Sequence, residues 1–228
     1  MTQLKVVSRL LADTALIALL LFAPAGTLDW PRAWVLLAVM LTVRAVSAVA
    51  VYRVSPALLA ERARFPIHDD QPRADRLLLL AVLGTGFIAL PVIASFDVFH
   101  WHVLPQPSGA IANLGLILFA LGWAIKGMAL RANAFATSVV RLQRERGHNA
   151  VDSGVYGIVR HPFYAGTVLV LVGLSLWLQS YAAAIAAVVP IALVVMRLLG
   201  EERFLRRELV GYTEYAARVR RRLVPGIW

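Results

Sequence analysis

GVYGIVRHPFYAG, from Gly154 to Gly166, decides how the rest of the chain is read, because it sets an arginine, a histidine and two tyrosines against an apolar run of membrane-crossing length. Polar chemistry stands here at a membrane boundary. A helix starting at Pro162 has its missing amide hydrogen at the first position, where no intrahelical partner is required, and turns its positive dipole end toward Arg160 and His161. That arrangement suits a carboxylate or a phosphate.

Six apolar segments extend outward from this stretch: Leu10 to Ala25, Trp34 to Tyr52, Leu77 to Ser95, Ile111 to Leu130, Phe163 to Leu178 and Tyr181 to Leu199. Each is about 16 to 20 residues, close to what a helix needs to cross the hydrocarbon core. Only Gln179 and Ser180 separate the last two, which predicts a tight antiparallel hairpin. Asp13 near the start of the first segment, without a small-residue cleavage site, predicts an uncleaved span rather than a signal peptide.

Composition agrees. The 228 residues are 60% hydrophobic, with a mean hydropathy of +0.71, well above a soluble domain. An all-α integral membrane protein is expected, as one domain over residues 1–228, with a variable hairpin and loop over 1–76 and a catalytic core over 77–228. Cysteine is absent, which excludes disulfides, thiolate zinc sites and cysteine nucleophiles.

A formal charge of +10 in a soluble protein would suggest nucleic acid. Here most basic residues fall on one side of the predicted spans: Lys5 and Arg9, then the segments Arg53 to Arg76, Arg131 to Arg160 and Arg203 to Arg222. The opposite loops hold only Arg32, so the positive-inside rule puts both termini in the cytoplasm and no nucleic-acid partner is expected. The Ala/Val/Arg-rich composition points to a bacterial inner membrane.

The polar residues crowd at this cytoplasmic boundary, in Asn133 to Gln143, Gly147 to Tyr156, Arg160 to Tyr164 and Arg197 to Glu202. The length of the segment from Arg131 to Arg160 marks it as functional, and its Gly, Tyr and Val spacing argues for order. The tail from Glu201 to Arg222 places Leu205, Leu209, Tyr212, Tyr215 or Ala216, and Val219 on one face. This predicts an amphipathic helix along the membrane surface, bent at Gly211, and a basic anchor for anionic lipids is the other use of the same residues.

No metal is expected, because none of the five histidines is spaced from another His or a carboxylate as a metal site requires. Arg197 sits near the end of the last span with Glu201 one turn later, where a charge is costly unless paired or facing a site. An interfacial ion pair and a snorkelling arginine are the structural readings. Alternatively, two carboxylates, Glu201 and Glu202, could hold a cationic amine and leave Arg197 for an anion. Taken singly, His161 reads as a helix cap, Tyr156 and Tyr164 as interfacial aromatics, and Gly154 and Gly166 as a turn and a packing residue.

Together these residues resemble the isoprenylcysteine carboxyl methyltransferase family, and more loosely the membrane phospholipid methyltransferases. The resemblance rests on RHPFYAG from Arg160 to Gly166, the EE pair at Glu201 and Glu202 after a helical hairpin, and the flanking SVVRLQRERGHNAVDSGVYGIVRHP and EERFLRRELVGYTEYAARVRRRLVPGIW. It covers about Asn133 to Trp228. It implies a methyltransferase using S-adenosyl-L-methionine and acting on a lipophilic acceptor taken from the bilayer. It assigns cofactor contacts to Gln143, to His148, Asn149, Ala150 and Val151, to Tyr156, and to Arg160, His161, Pro162, Phe163 and Tyr164. It assigns the cofactor carboxylate to Glu201 or Glu202 and an acceptor contact to Arg197, with these three as the catalytic set.

The chemistry is consistent with that assignment. A ligand carrying a carboxylate, an ammonium, a sulfonium and a flat base finds a helix start with His161, a glutamate pair and two tyrosines. A carboxylate acceptor is already nucleophilic and requires only positioning, whereas an amine must first lose a proton. Carboxyl O-methylation is therefore the first expectation and phospholipid N-methylation the second. Readings of another class are a small transporter, which would carry midplane polar residues and internal repeats, and a non-enzymatic lipid-binding protein.

Overall fold

A computed structural model describes residues 2–62, 73–137 and 149–228, all helical where regular. The helices are α1 (Thr2–Ala25), α2 (Pro31–Val54), α3 (Pro56–Arg62), α4 (Arg73–Trp101), α5 (Gly109–Ala132), α6 (Pro162–Trp177), α7 (Tyr181–Glu208) and α8 (Tyr212–Arg218). Among the described residues α1, α2, α4, α5 and α7 are long and apolar enough to cross a membrane, and α6 is a shorter apolar helix of 16 residues.

Punctuation in the sequence explains the ends. Pro31, Pro56 and Pro162 open helices with the residue that lacks an amide hydrogen. Ser108 and Ser180 cap α5 and α7 by accepting from the Ile111 and Ala183 amides. The α6–α7 hairpin turns through Gln179 at φ 62°, as tight as the two-residue spacing predicts. In α4, Pro91 removes the amide that would close on the Phe87 carbonyl, and the preceding stretch Leu83–Ala89 winds as a π-helix.

The tightest packing is between α5 and α6. A Cβ on Gly122 would lie 2.6 Å from the Gly166 carbonyl oxygen, and one on Gly173 would lie 2.4 Å from the Phe119 amide nitrogen. Only bare backbone lets these helices approach so closely. The approach also fixes where the next turns meet, because it places Lys126 of α5 against Thr167 of α6. Leu21, Leu36, Leu90, Phe119, Leu171 and Leu178 pack as the main apolar core.

The tail differs from the surface helix expected from its periodicity. The chain breaks after Glu208, turns at Gly211 with φ 79°, and restarts as α8. Its apolar face, Tyr212, Tyr215 and Ala216, is buried against Ala129, Tyr156 and Leu209. Protein, not lipid, covers that face.

Candidate active site

The RHP segment is held from both sides. Backbone amides of Arg160 and His161 donate to the carbonyls of Arg221 and Arg222 at 2.9 Å each, strapping the tail beside the start of α6. Tyr164 and Ala165 amides turn back onto the His161 carbonyl, so the helix start offers fewer free amides than its sequence suggests. What it presents instead is the His161 ring. His161 is buried, and its Nε2, 3.7 Å from Glu202 Oε2, makes no hydrogen bond among the described residues.

Glu201 and Glu202 do different work. Glu202 is 3% exposed and receives Arg160 Nη2 at 2.9 Å, Arg206 Nη2 at 2.8 Å and Arg222 Nε at 2.7 Å. Three cations around one carboxylate leave it no place for a ligand amine. Arg160 gives its other terminal nitrogen to the Val219 carbonyl at 2.7 Å, while its Nε is buried without a partner among the described residues. Glu201 lies one residue earlier and therefore about 100° round the helix. It accepts from the Tyr164 hydroxyl at 2.6 Å and lines a cavity.

That cavity, of about 710 Å³, joins two environments. One end is lined by Asn149, Tyr156, His161, Glu201, Tyr212 and Tyr215, and the other by Leu16, Ile17, Met40, Leu80 and Ile88. The π-helical stretch of α4 contributes Leu83, Gly84, Phe87 and Ile88 to the lining. Ala150, Val151, Arg160, Phe163, Tyr164 and Arg197 also line it, whereas Pro162 and Glu202 stand behind. Gln143 and His148, and the order expected of the segment around them, lie outside the described residues.

Arg197 takes Asp75 of α4 as its partner, not the Glu201 one turn away: Nε meets Oδ1 at 2.8 Å and Nη2 meets Oδ2 at 3.3 Å. Asp75 is 122 residues distant in sequence, a pairing that helix spacing does not reveal. Tyr212, Tyr215 and Asn133 join the lining without having been singled out as site residues. The available signal was the three-residue step from Tyr212 to Tyr215, read only as an apolar face. Tyr215 donates to the Tyr156 carbonyl at 2.8 Å, while the buried Tyr212 hydroxyl has no partner among the described residues.

Burial pushes the Tyr156 phenol up to about 12, and burial likewise raises Tyr212 and Tyr215 well above the ordinary tyrosine value. All three are neutral donors at physiological pH. Arg62 closes the polar end over the Phe163 ring at 4.7 Å and donates to the Ala136 carbonyl at 2.7 Å. Desolvation, with Arg197 nearby, lowers it to about 10, which still leaves it charged.

A membrane-embedded helical bundle with a polar site opening onto an apolar chamber is the class of architecture that sequence comparison identifies as methyltransferase. The phospholipid methyltransferase family matches residues 111–209. Protein-S-isoprenylcysteine O-methyltransferase A of Arabidopsis thaliana is 35% identical over 153 residues, covering 64% of this chain and 78% of the relative. Protein-S-isoprenylcysteine O-methyltransferase B of the same plant is 37% identical over 113 residues, covering 48% of this chain and only 57% of its own length. The chain belongs to the isoprenylcysteine carboxyl methyltransferase family.

Proposed function

We propose that the protein is an S-adenosyl-L-methionine-dependent membrane methyltransferase that esterifies the carboxylate of a lipophilic acceptor. The observation that carries this reading is the single cavity running from unpartnered polar atoms to an apolar chamber. Buried polar atoms without partners cost about 1–3 kcal/mol each, so His161 Nε2 and the Tyr212 hydroxyl are groups in want of a ligand. His161 and Tyr212 suit the cofactor's carboxylate, Glu201 its ammonium, and Tyr156 with Asn149, Ala150 and Val151 its adenine, so the residues fit that group. Gln143, His148, Pro162 and Phe163 complete the set that the resemblance assigns.

Held by these residues, S-adenosyl-L-methionine would supply an electrophilic sulfonium methyl group to an acceptor carboxylate, with the thioether as leaving group. No proton moves in this step, so the phenols of the site stay neutral and serve as donors. The chain's own contribution is alignment and exclusion of water. Tyr164 orients Glu201 through its hydroxyl, and Glu202 anchors the tail over the polar end through Arg160, Arg206 and Arg222.

In this reading six helices cross the membrane, α6 being the short one buried among its neighbours, and the basic end with both termini faces the cytoplasm. The acceptor enters sideways from the bilayer through the Leu16, Leu80 and Ile88 wall. Phospholipid N-methylation is the second reading, favoured by the family match over residues 111–209. Incubation with labelled S-adenosylmethionine and a lipid extract separates the two: label released by mild base marks an ester, and stable label marks an amine. Absence of S-adenosylhomocysteine binding by calorimetry, with no transfer, overturns both.

A further inference from the structure

Beside the polar end the cavity holds two cations that no carboxylate among the described residues pairs with. Lys126 is 7% exposed, and its ammonium has one hydrogen-bond partner among the described residues, Thr167 Oγ1 at 3.1 Å. Thr167 spends its own proton on the Phe163 carbonyl at 3.0 Å, so it serves Lys126 purely as an acceptor. Three rings surround the ammonium, Phe163 at 4.5 Å, Trp123 at 4.6 Å and Phe87 at 5.4 Å. Arg62 stands over the same Phe163 ring at 4.7 Å. Aromatic faces soften the burial of a cation but supply no counter-charge.

The other cations in the wall each meet a carboxylate, Arg160 at Glu202 among them. Arg9 and Arg44 share Asp13, at 2.9 Å and 2.5 Å, and Arg197 holds Asp75 through two nitrogens. Among the described residues Lys126 and Arg62 form no ion pair, and the indole Nε1 of Trp123, whose ring Lys126 and Arg44 flank, is buried without an acceptor. A buried charge persists only when something compensates it. Two like charges over the Phe163 ring, and an unused N–H donor on the Trp123 that Lys126 also touches, define the missing partner as an anion.

We infer that Lys126 and Arg62, with the Trp123 indole, form the subsite that positions the acceptor's carboxylate. This rests on the methyltransferase reading and sharpens it, since it moves acceptor recognition from the Asp75-bound Arg197 to Lys126. It also selects the acid over the amine, because a cationic headgroup at this point meets two positive charges. The subsite lies between the polar end and the Leu16, Ile17 and Met40 chamber, where a carboxylate with an apolar tail fits in both directions. Esterification removes the acceptor's charge and with it the attraction of Lys126, so the product is released by the reaction that makes it.

The test compares N-acetyl-S-farnesylcysteine with its primary carboxamide, identical but for charge, by calorimetry on the full chain in detergent with S-adenosylhomocysteine present. Wild type should prefer the acid by roughly thirtyfold, about 2 kcal/mol. Lys126→Met should bring that ratio close to one while S-adenosylhomocysteine affinity and carboxamide affinity hold, and Lys126→Arg should restore most of it. Arg62→Gln should reduce it by about fivefold. In turnover, Lys126→Met should raise KM for the acid more than it lowers kcat. A folded Lys126→Met that keeps the wild-type ratio overturns the inference, as does a wild-type ratio of one or base-stable label on phosphatidylethanolamine. Failure of S-adenosylhomocysteine to bind defeats the methyltransferase reading alone, because the acid-to-amide ratio is still read directly.

Discussion

The two ends of the helix bundle treat their polar groups in opposite ways. At the end bearing the α6–α7 turn the buried polar side chains among the described residues close on the protein. Asp97 accepts from Ser180 at 2.6 Å and from the Val103 amide at 3.0 Å, Ser95 donates to the Leu21 carbonyl at 2.7 Å, and Trp177 donates to the Arg32 carbonyl at 2.7 Å. At the RHP end Arg160 Nε, His161 Nε2, the Tyr212 hydroxyl and Trp123 Nε1, although buried, stay open among the described residues. Burial alone therefore does not mark function. The difference lies in whether the protein itself answers each buried donor and acceptor.

The largest expected effect lies at the open end. Glu201→Gln keeps an acceptor for Tyr164 but removes the charge facing the cavity, and methyl transfer should fall by at least about a hundredfold. The thermal midpoint should stay close to wild type. A Glu201→Gln protein with full activity removes this carboxylate from the site. Glu202→Gln should do the reverse, costing about 3 kcal/mol of stability because Arg160 is left buried without its counter-charge. Denaturant unfolding, with activity measured on the surviving folded fraction, separates the neighbouring glutamates.

Next comes the closed end. Asp97→Ala strands the Ser180 hydroxyl and the Val103 amide, and should cost about 2 kcal/mol in unfolding with unchanged S-adenosylhomocysteine affinity. Tyr212→Phe is its mirror image. Deleting a hydroxyl without a partner should leave stability level or slightly raised, while S-adenosylhomocysteine affinity drops about fivefold. If both variants move the same quantity, the division between the two ends is wrong.

How much of this division is legible in the sequence follows from how local each part is. The apolar runs, Pro31 and Pro162 at helix starts, and the spacing of Gln179 and Ser180 are short-range signals, and the helices follow them. RHPFYAG and the glutamate pair likewise announce the polar end. The separate duties of Glu201 and Glu202 depend on the rotation of α7 about its axis, which is fixed by packing of Val194 and Leu198 against Tyr164 and Val82. Arg197 with Asp75 and the ring cage of Lys126 are contacts across the fold, where neither partner's neighbours carry a trace of the other. The anion-binding character expected at the start of α6 is a local inference that the structure modifies for a local reason, since the first turn draws the Tyr164 amide onto the His161 carbonyl.

The smallest effect concerns the tyrosines, and its sign follows from burial. Tyr156 ionises near 12 in the folded protein and near 10 unfolded, because desolvation opposes the phenolate. Below pH 10 both states hold the proton, so its contribution to stability is constant. Between pH 10 and 12 only the folded state holds it, and stability falls by about 1.4 kcal/mol per pH unit for this one group. Tyr212 and Tyr215 shift the same way and add to the slope. Ultraviolet titration of the folded protein should show this phenolate absorbance only well above pH 10, and lost on Tyr156→Phe. A component titrating near 10 that disappears in that variant would mean that water reaches Tyr156, and that the polar end is not the enclosed donor set on which its contrast with the closed end depends.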